Sequence, residues 1–117
     1  MEFTIELPWP PTVNTMWRSI GRGRTILSEK GRIYRETVAA LVLTSIGRPM
    51  LDCGLSVAIA AYPPDRKRRD LDNLFKGVLD SLAHAGVYAD DYQIQRLSIE
   101  RREVAKPGRL VVEIREV

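Results

Sequence analysis

Residues 71–82 read LDNLFKGVLDSL, and this stretch predicts an amphipathic helix more clearly than any other part of the chain. Its apolar residues follow one another in steps of 3, 1, 3, 1 and 3, which is the period of an α-helix with one buried stripe. They are Leu71, Leu74, Phe75, Val78, Leu79 and Leu82. Gly86 lies where a glycine commonly follows the last turn of a helix. We therefore predict a helix that begins at about Asp72, as its N-cap, and ends before Gly86.

Alternation between apolar and polar residues predicts β-strands on both sides of this helix. The predicted strands cover residues 2–7, about 54–62, 93–104 and 109–116. A turn at Lys106-Pro107-Gly108 is expected to join the last two strands as a hairpin.

A second helix is predicted from Ser28, its N-cap, to about Ser45. Residues 12–27, between the first strand and this helix, are expected to form a loop or a loose hairpin. The element order β-α-β-α-β-β then predicts one α+β domain over residues 1–117. We expect two helices on one face of a four-stranded mixed sheet.

The composition excludes several classes of protein. The chain has 117 residues, a net charge of +3, one cysteine and one histidine. Cys53 alone cannot build a disulfide framework, and together with His84 it cannot form a Cys/His zinc site. The longest apolar run, Val38 to Leu43, is too short to cross a membrane, and no basic segment precedes an apolar stretch at the N-terminus. We expect a cytoplasmic protein with no membrane partner.

The basic residues indicate a polyanionic partner although the net charge is small. Fourteen of the eighteen cations are arginine, which binds phosphate through two hydrogen bonds at once. They cluster at residues 18–24, 66–69 and 96–102. Local clustering of this kind is typical of proteins that bind nucleic acids.

The segment 65–76, DRKRRDLDNLFK, combines such a cluster with carboxylates. Asp70 and Asp72 point to the same side only if residues 70–72 are extended, with the helix beginning at about Asp72. Lys76, four residues further on, then lies over the same face as Asp72.

Two interpretations of this segment remain open from its residues. In the first, the carboxylates hold Mg²⁺, which proteins typically bind through one or two carboxylates, waters and substrate phosphate oxygens. Lys76 would then neutralise charge or orient the attacking water while the basic run binds neighbouring phosphates. In the second, the carboxylates cap the helix or pair with Arg68 and Arg69, and the basic run is a solvated loop.

A third carboxylate is available at Asp90-Asp91, which is also ordinary turn chemistry. The helix from Asp72 to Ala85 would be about 20 Å long. The return from Gly86 to Asp91 spans at most roughly 17 Å. Asp91 therefore does not easily reach the Asp70 end of its own helix, and we predict a twofold dimer whose metal sites take ligands from both chains.

The loop before Ser28 offers further contacts. Trp17 lies among Arg18, Arg22 and Arg24, and its ring can either stack on an unpaired base or pack the loop onto the core. Asn14 is a weaker candidate of the same kind.

The sequence resembles the RusA family of Holliday-junction resolvases, which are small dimeric Mg²⁺-dependent endonucleases. The resemblance covers nearly the whole chain through LPWPP, GRGRT, PDRKRRDLDNLFK, LDSLAHAG, ADDYQI and KPGRL. It implies that Asp70, Asp72 and Asp91, rather than Asp90, bind the metal and that Lys76 is catalytic or contacts phosphate. It also implies that Arg69 and its neighbours contact DNA, and that the gene is often carried by prophages.

We therefore expect an endodeoxyribonuclease that resolves Holliday junctions by paired cuts in recombination and repair, with Mn²⁺ as a possible substitute for Mg²⁺. A non-catalytic module that binds branched DNA, or the same nuclease site acting on flaps or forks, is the alternative. The residues expected to contact DNA are Asn14, Trp17, Arg18, Arg22, Arg24, Arg66, Lys67, Arg68 and Arg69.

Overall fold

A four-stranded mixed sheet is the centre of the computed structural model, which describes residues 1–117. The helices and strands, in chain order, are β1 (Glu2–Pro8), α1 (Val13–Met16), β2 (Trp17–Gly21), β3 (Arg24–Leu27), α2 (Glu29–Ser45), β4 (Leu55–Tyr62), α3 (Phe75–His84), β5 (Ile94–Arg101) and β6 (Arg109–Glu116). Two 3₁₀ turns, Leu71–Leu74 and Asp91–Gln93, precede α3 and β5. The prediction of an α+β fold with a mixed sheet is confirmed.

The strand order in the sheet is β1-β6-β4-β5. Strand β6 is antiparallel to both of its neighbours, whereas β4 and β5 are parallel. The register aligns Ile5, Val112, Ile59 and Ile99 across the four strands. Because side chains alternate along a strand, this row and the rows two residues away lie on one face.

The core lies between that face and the two long helices. Val38 and Val42 of α2, and Val78 and Leu82 of α3, are completely buried. Full burial of side chains of this size contributes about 1.5–3 kcal/mol each relative to exposure. The buried stripe predicted for residues 71–82 is therefore the surface by which α3 packs. None of the helices has the length and apolar content needed to span a bilayer.

The predicted hairpin between the last two strands is wrong. Strand β4 lies between β5 and β6, and the connecting residues cross the end of β4. The Arg102 amide donates to the Ala61 carbonyl, and the Ala105 amide donates to the Pro63 carbonyl. Strand β6 therefore forms its hydrogen bonds with β1 and β4 rather than with β5.

The predicted start of the third helix is also wrong. Asp70, with extended φ of −86° and ψ of 132°, occupies the N-cap position, and Asp72 lies within the 3₁₀ turn. Because only Asp70 is extended, the extended conformation required for residues 70–72 is not formed. The tighter turn is hydrogen-bonded from the Asn73 amide to the Asp70 carbonyl (3.3 Å), and it buries Leu74.

The segment before α2 forms a hairpin, which is one of the two forms that the sequence predicts for it. Strands β2 and β3 pair antiparallel, and Ser28 caps α2 by accepting a hydrogen bond from the Gly31 amide at 3.0 Å. The cap prediction is confirmed. The Ser28 hydroxyl also lies within 3.0 Å of the Met16 carbonyl oxygen, so it ties α1 to the start of α2.

Helix α1 packs closely on α3 at Gly77. A Cβ atom added to Gly77 would lie 2.6 Å from the Met16 sulfur, and Met16 is buried. The glycine therefore permits an approach that any larger residue would obstruct. This contact brings β2, which begins at Trp17, next to Lys76.

Candidate active site

Asp70 and Asp72 are exposed carboxylates without a protein partner. Asp70 stands at an N-cap position but accepts no capping hydrogen bond, and neither side chain takes part in an ion pair. The interpretation of these two acids as caps or as partners of Arg68 and Arg69 is therefore not what the structure contains. Two unpaired carboxylates lie at the start of a helical segment instead, where ligand atoms remain accessible.

Arg69 pairs with Asp65, a residue to which the sequence pattern assigned no role. The two side chains are joined by hydrogen bonds of 2.5 and 3.2 Å, and the guanidinium carbon of Arg69 lies 5.8 Å from the centre of the Trp9 ring. The hydrogen bonds from Arg69 and from the Lys67 amide lower the pKa of Asp65 to about 2. Residues 65–69 are not helical, so the spacing of four residues between Asp65 and Arg69 was no signal for this pair.

The remaining cations of the basic run are free. Arg66, Lys67 and Arg68 are exposed and belong to none of the ion pairs. A cavity of about 340 Å³ lies where this run meets the carboxylates, and Arg68 and Asp70 both line it. Its wall also contains Asn73, a polar residue that no sequence motif singled out. Unpaired charges of both signs therefore face the same space.

Lys76 is held between an aromatic ring and a carboxylate. Its Nζ atom lies 4.8 Å from the centre of the Trp17 ring and 3.6 Å from Oδ2 of Asp80. The Asp80 side chain is about a quarter exposed (28%), whereas that of Lys76 is 60% exposed. Asp80 was not predicted from the sequence, although it follows Lys76 by four residues on the same helix. The pair fixes where the ammonium group points.

Asp91 lies close to this pair. Partial removal of its carboxyl from water, a hydrogen bond with Asp90 and the charges of Asp80 and Asp90 raise its pKa, while the Lys76 ammonium acts in the opposite direction. The crowding of carboxylates creates a local negative potential that a cation would relieve.

Asp90 has a different task from Asp91. Its side chain accepts from the Tyr92 amide at 2.9 Å, and Gln93 closes the capping box by accepting from the Asp90 amide at 3.0 Å. Gln93 also donates to the Leu51 carbonyl at 2.8 Å, which anchors the turn to the preceding loop. Asp90 shapes the turn, and Asp91 is left as the member of the pair that faces α3.

The three predicted metal ligands lie on two parts of the chain, and their role stays a prediction. No group of three or more His, Cys, Asp or Glu side chains lies together in a metal-binding arrangement. Asp70 and Asp72 lie at the start of the 3₁₀ turn, while Asp91 faces Asp80 and Lys76 further along α3. The chemistry of these carboxylates suits a hard cation such as Mg²⁺.

The arginine hairpin of β2 and β3 forms the wall next to Lys76. Arg18, Arg22 and Arg24 are exposed, whereas Trp17 is half-buried against the core. A cavity of about 580 Å³ is lined by Asn14, Trp17, Arg18, Ser19 and Lys76, together with Val13 and Thr25. The Trp17 ring thus packs onto the core and lies beneath the Lys76 ammonium, and its Nε1 atom is buried without a hydrogen-bond partner.

These features define a class of protein, a small α+β nuclease that acts on nucleic acid. Unpaired carboxylates and a positioned lysine lie between a basic run and an arginine hairpin. The comparisons with known proteins agree: the family model described as Endodeoxyribonuclease RusA matches residues 8–115.

Full-length relatives support the same assignment. Crossover junction endodeoxyribonuclease RusA of Escherichia coli K12 is 41% identical over 119 aligned positions, which cover 98% of this chain and 95% of the relative. Proteins of the same name from Enterobacteria phage 82 and Shigella sonnei are 42% and 40% identical over the same shares. The chain belongs to the RusA family of endodeoxyribonucleases.

Proposed function

We propose that this protein is a metal-dependent endonuclease that resolves four-way DNA junctions by paired, symmetric cuts. The observation that carries the proposal is the pair of unpartnered carboxylates, Asp70 and Asp72, beside three free cations. A surface built only to hold DNA gains nothing from exposed carboxylates among its cations. Family membership supplies the reaction class, because the relatives are named for cleavage at crossover junctions.

The carboxylates of Asp70, Asp72 and Asp91 would hold Mg²⁺, with Mn²⁺ as a substitute. The bound metal would supply an activated water and neutralisation of charge at the phosphodiester. Lys76, oriented by Asp80, would stabilise negative charge at the same phosphate. Arg66, Lys67 and Arg68 would bind the adjoining backbone phosphates and keep the scissile strand in place.

A second copy of the chain would complete each site. The absence within one chain of a group of three such side chains that could hold a metal ion supports a site in which Asp91 comes from a second copy. A twofold dimer has two such sites, and a four-way junction has two equivalent strands to cut. The symmetry of the enzyme would therefore match that of its substrate.

A mixed dimer tests this arrangement directly. Asp70→Asn and Asp91→Asn chains, each inactive alone, would be co-expressed with different tags and isolated as the mixed dimer. A two-chain site leaves one of the two sites intact, so we expect metal-dependent nicking of one strand at about half the wild-type rate. The readout is cleavage of a labelled synthetic junction beside a linear duplex, with and without Mg²⁺.

The matched control is the mixed dimer of Asp70→Asn with Asp72→Asn. Both changes fall in the same part of the site, so neither of its two sites is intact and we expect no cleavage. An inactive Asp70→Asn/Asp91→Asn dimer would show that each site lies within one chain. Tight junction binding by the wild-type protein without cleavage in Mg²⁺ or Mn²⁺ would favour a non-catalytic binding module. Faster cutting of flaps or forks than of four-way junctions would show that flaps or forks are the preferred substrate.

A further inference from the structure

The loop that leads from β4 to Asp70 has no secondary structure of its own. Residues 64–69 make no hydrogen bond between backbone groups, whereas the Pro63 carbonyl just before them accepts from the Ala105 amide at 2.9 Å. Backbone groups without such partners are held by side chains or by water. The position of Asp70, at the end of this loop, therefore depends on side-chain contacts as well as on the helix that follows it.

One set of these contacts lies within the loop. The Asp65 carboxylate accepts from the Lys67 amide at 2.9 Å and from the Arg69 guanidinium. The same guanidinium donates to the Lys67 carbonyl at 3.3 Å. These bonds hold residues 65–69 in one shape, but they do not attach the loop to the sheet, because all three residues belong to the loop.

A single hydrogen bond joins residues 64–69 to the rest of the protein. Arg101 donates from Nη2 to the Arg69 carbonyl at 2.8 Å. The donor is a cation, and hydrogen bonds of this kind are roughly twice as strong as those between neutral groups. The accepting carbonyl belongs to the peptide that joins Arg69 to Asp70. The bond therefore acts on the backbone directly next to a predicted metal ligand.

The alternation of side chains along β5 explains why Arg101 makes this contact and its neighbour does not. Arg101 follows Ile99 by two residues, so it lies on the face of the sheet that the helices cover. Arg102 lies on the opposite face, where it pairs with Glu100 at 3.3 Å. The Arg102 amide also donates to the Ala61 carbonyl at 2.8 Å, which holds the backbone next to Arg101 against β4. The donor side chain thus projects from a rigid strand.

The Asp70 carboxylate depends on its backbone for its direction. The side chain takes part in no capping hydrogen bond and in no ion pair. Its residue is extended, with φ of −86° and ψ of 132°, and the peptides on its two sides set that conformation. The carbonyl after it accepts from the Asn73 amide at 3.3 Å, and the carbonyl before it accepts from Arg101.

We propose that Arg101 is a positioning residue for Asp70: it ties the peptide between Arg69 and Asp70 to the end of β5 and so orients the Asp70 carboxylate for the reaction. The proposal rests on the proposed function, in which Asp70 binds the metal. It assigns the charge of Arg101 to a contact within the protein rather than to DNA. A displacement of about 1 Å at a reacting centre can cost roughly a hundredfold in rate, so one backbone contact here is sufficient to matter.

Arg101→Gln tests this role by separating cleavage from binding. With enzyme in excess and the junction saturated, we expect the single-turnover cleavage rate in Mg²⁺ to fall about tenfold to a hundredfold, while junction affinity changes less than about threefold. The matched control is Arg102→Gln, which removes the same charge from the next residue and should cleave at the wild-type rate. Arg101→Lys keeps a charged donor and should recover part of the lost rate.

NMR of the metal-free protein gives a readout that does not depend on cleavage. The carbonyl carbon of Arg69 senses the hydrogen bond that its oxygen accepts, and the Asp70 amide belongs to the same peptide. Both signals should shift in Arg101→Gln and stay in place in Arg102→Gln. A loss of global stability would not confine the change to this peptide and its neighbours.

The outcomes separate the positioning role from the function. Unchanged NMR signals and a wild-type cleavage rate in Arg101→Gln would overturn the proposal and leave the proposed function standing. Weaker junction binding with an unchanged saturated rate would also overturn it, because Arg101 would then contact DNA. If the wild-type protein cleaves no junction in Mg²⁺ or Mn²⁺, the catalytic part of the proposal fails with the proposed function, and shifted NMR signals would still support Arg101 as the residue that holds this peptide.

Discussion

At the scale of single residues, the partner of each charged group shows whether that group stabilises the local fold or is free to act on a ligand. Arg69 is neutralised by Asp65, and Asp90 is used as a cap, so both are committed to the local fold. Asp70 and Asp72 have no such partners. Lys76 is intermediate, since its ion pair with Asp80 is exposed enough to contribute little stability and instead limits where its ammonium can lie.

Asp80 is predicted to be a positioning residue for Lys76. In Asp80→Asn the ammonium loses its ion-pair partner, and we expect junction cleavage to fall between about tenfold and a hundredfold, with junction affinity changed less than about twofold. The Trp17 indole NMR signal, identified by comparison with Trp9→Phe, should shift because the ammonium over its ring moves.

The control on the same helix is His84→Gln, which is exposed and has no role in the site. We expect it to cleave normally, and Asp80→Glu to recover part of the lost rate. If Asp80→Asn cleaves at the wild-type rate with an unchanged Trp17 signal, Asp80 does not orient Lys76.

At the scale of elements, the short helix α1 connects the hairpin to both long helices. Met16 packs against Gly77 of α3, and the Ser28 hydroxyl contacts the Met16 carbonyl while capping α2. The position of the arginine hairpin beside Lys76 therefore depends on a few contacts at the starts of two helices.

Ser28→Ala is predicted to destabilise the protein by about 1 kcal/mol, the usual cost of losing an N-cap. The change removes the hydrogen bond to the Gly31 amide and the link to α1, so hairpin amides should also exchange with solvent faster. Urea unfolding and hydrogen exchange measure the two effects. The control is Thr44→Ala, which removes only a hydroxyl that donates to a carbonyl within α2. We expect it to change the free energy of unfolding by less than Ser28→Ala does. Equal losses of stability in both variants would contradict a special role for the Ser28 cap.

At the scale of the whole molecule, exposed positive charge is spread over three elements. The hairpin supplies Arg18, Arg22 and Arg24, the loop after β4 supplies the basic run, and β5 supplies Arg96. The net charge of +3 hides this arrangement, because glutamates on β1 and β6 balance it elsewhere. Affinity for a polyanion follows the local potential rather than the total.

We predict that these free cations determine how strongly junction binding depends on salt concentration. Replacing Arg18, Arg22 and Arg24 by Gln should reduce the slope of log affinity against log salt by up to about 0.9 for each phosphate that the variant no longer neutralises. Arg69→Gln is the matched comparison, since its charge is already paired with Asp65, and its slope should change less. Binding titrations between low and moderate salt measure both, and an unchanged slope in the triple variant would remove the hairpin from the DNA interface.

The sequence by itself determined the two long helices, the four strands of the sheet and the family. Apolar spacing identified α3 and the strands, Ser28 identified the start of α2, and the motif around Asp70 pointed to the RusA family, because each of these signals lies within a short stretch of chain. Only the tertiary structure decided which strands pair and which charges meet. Alternation shows that β5 and β6 are strands but not that β4 lies between them, and nothing local indicates that Asp91 folds back to Asp80 and Lys76. Those outcomes depend on contacts between residues distant in sequence, whose energies are set by the packed core rather than by neighbours along the chain.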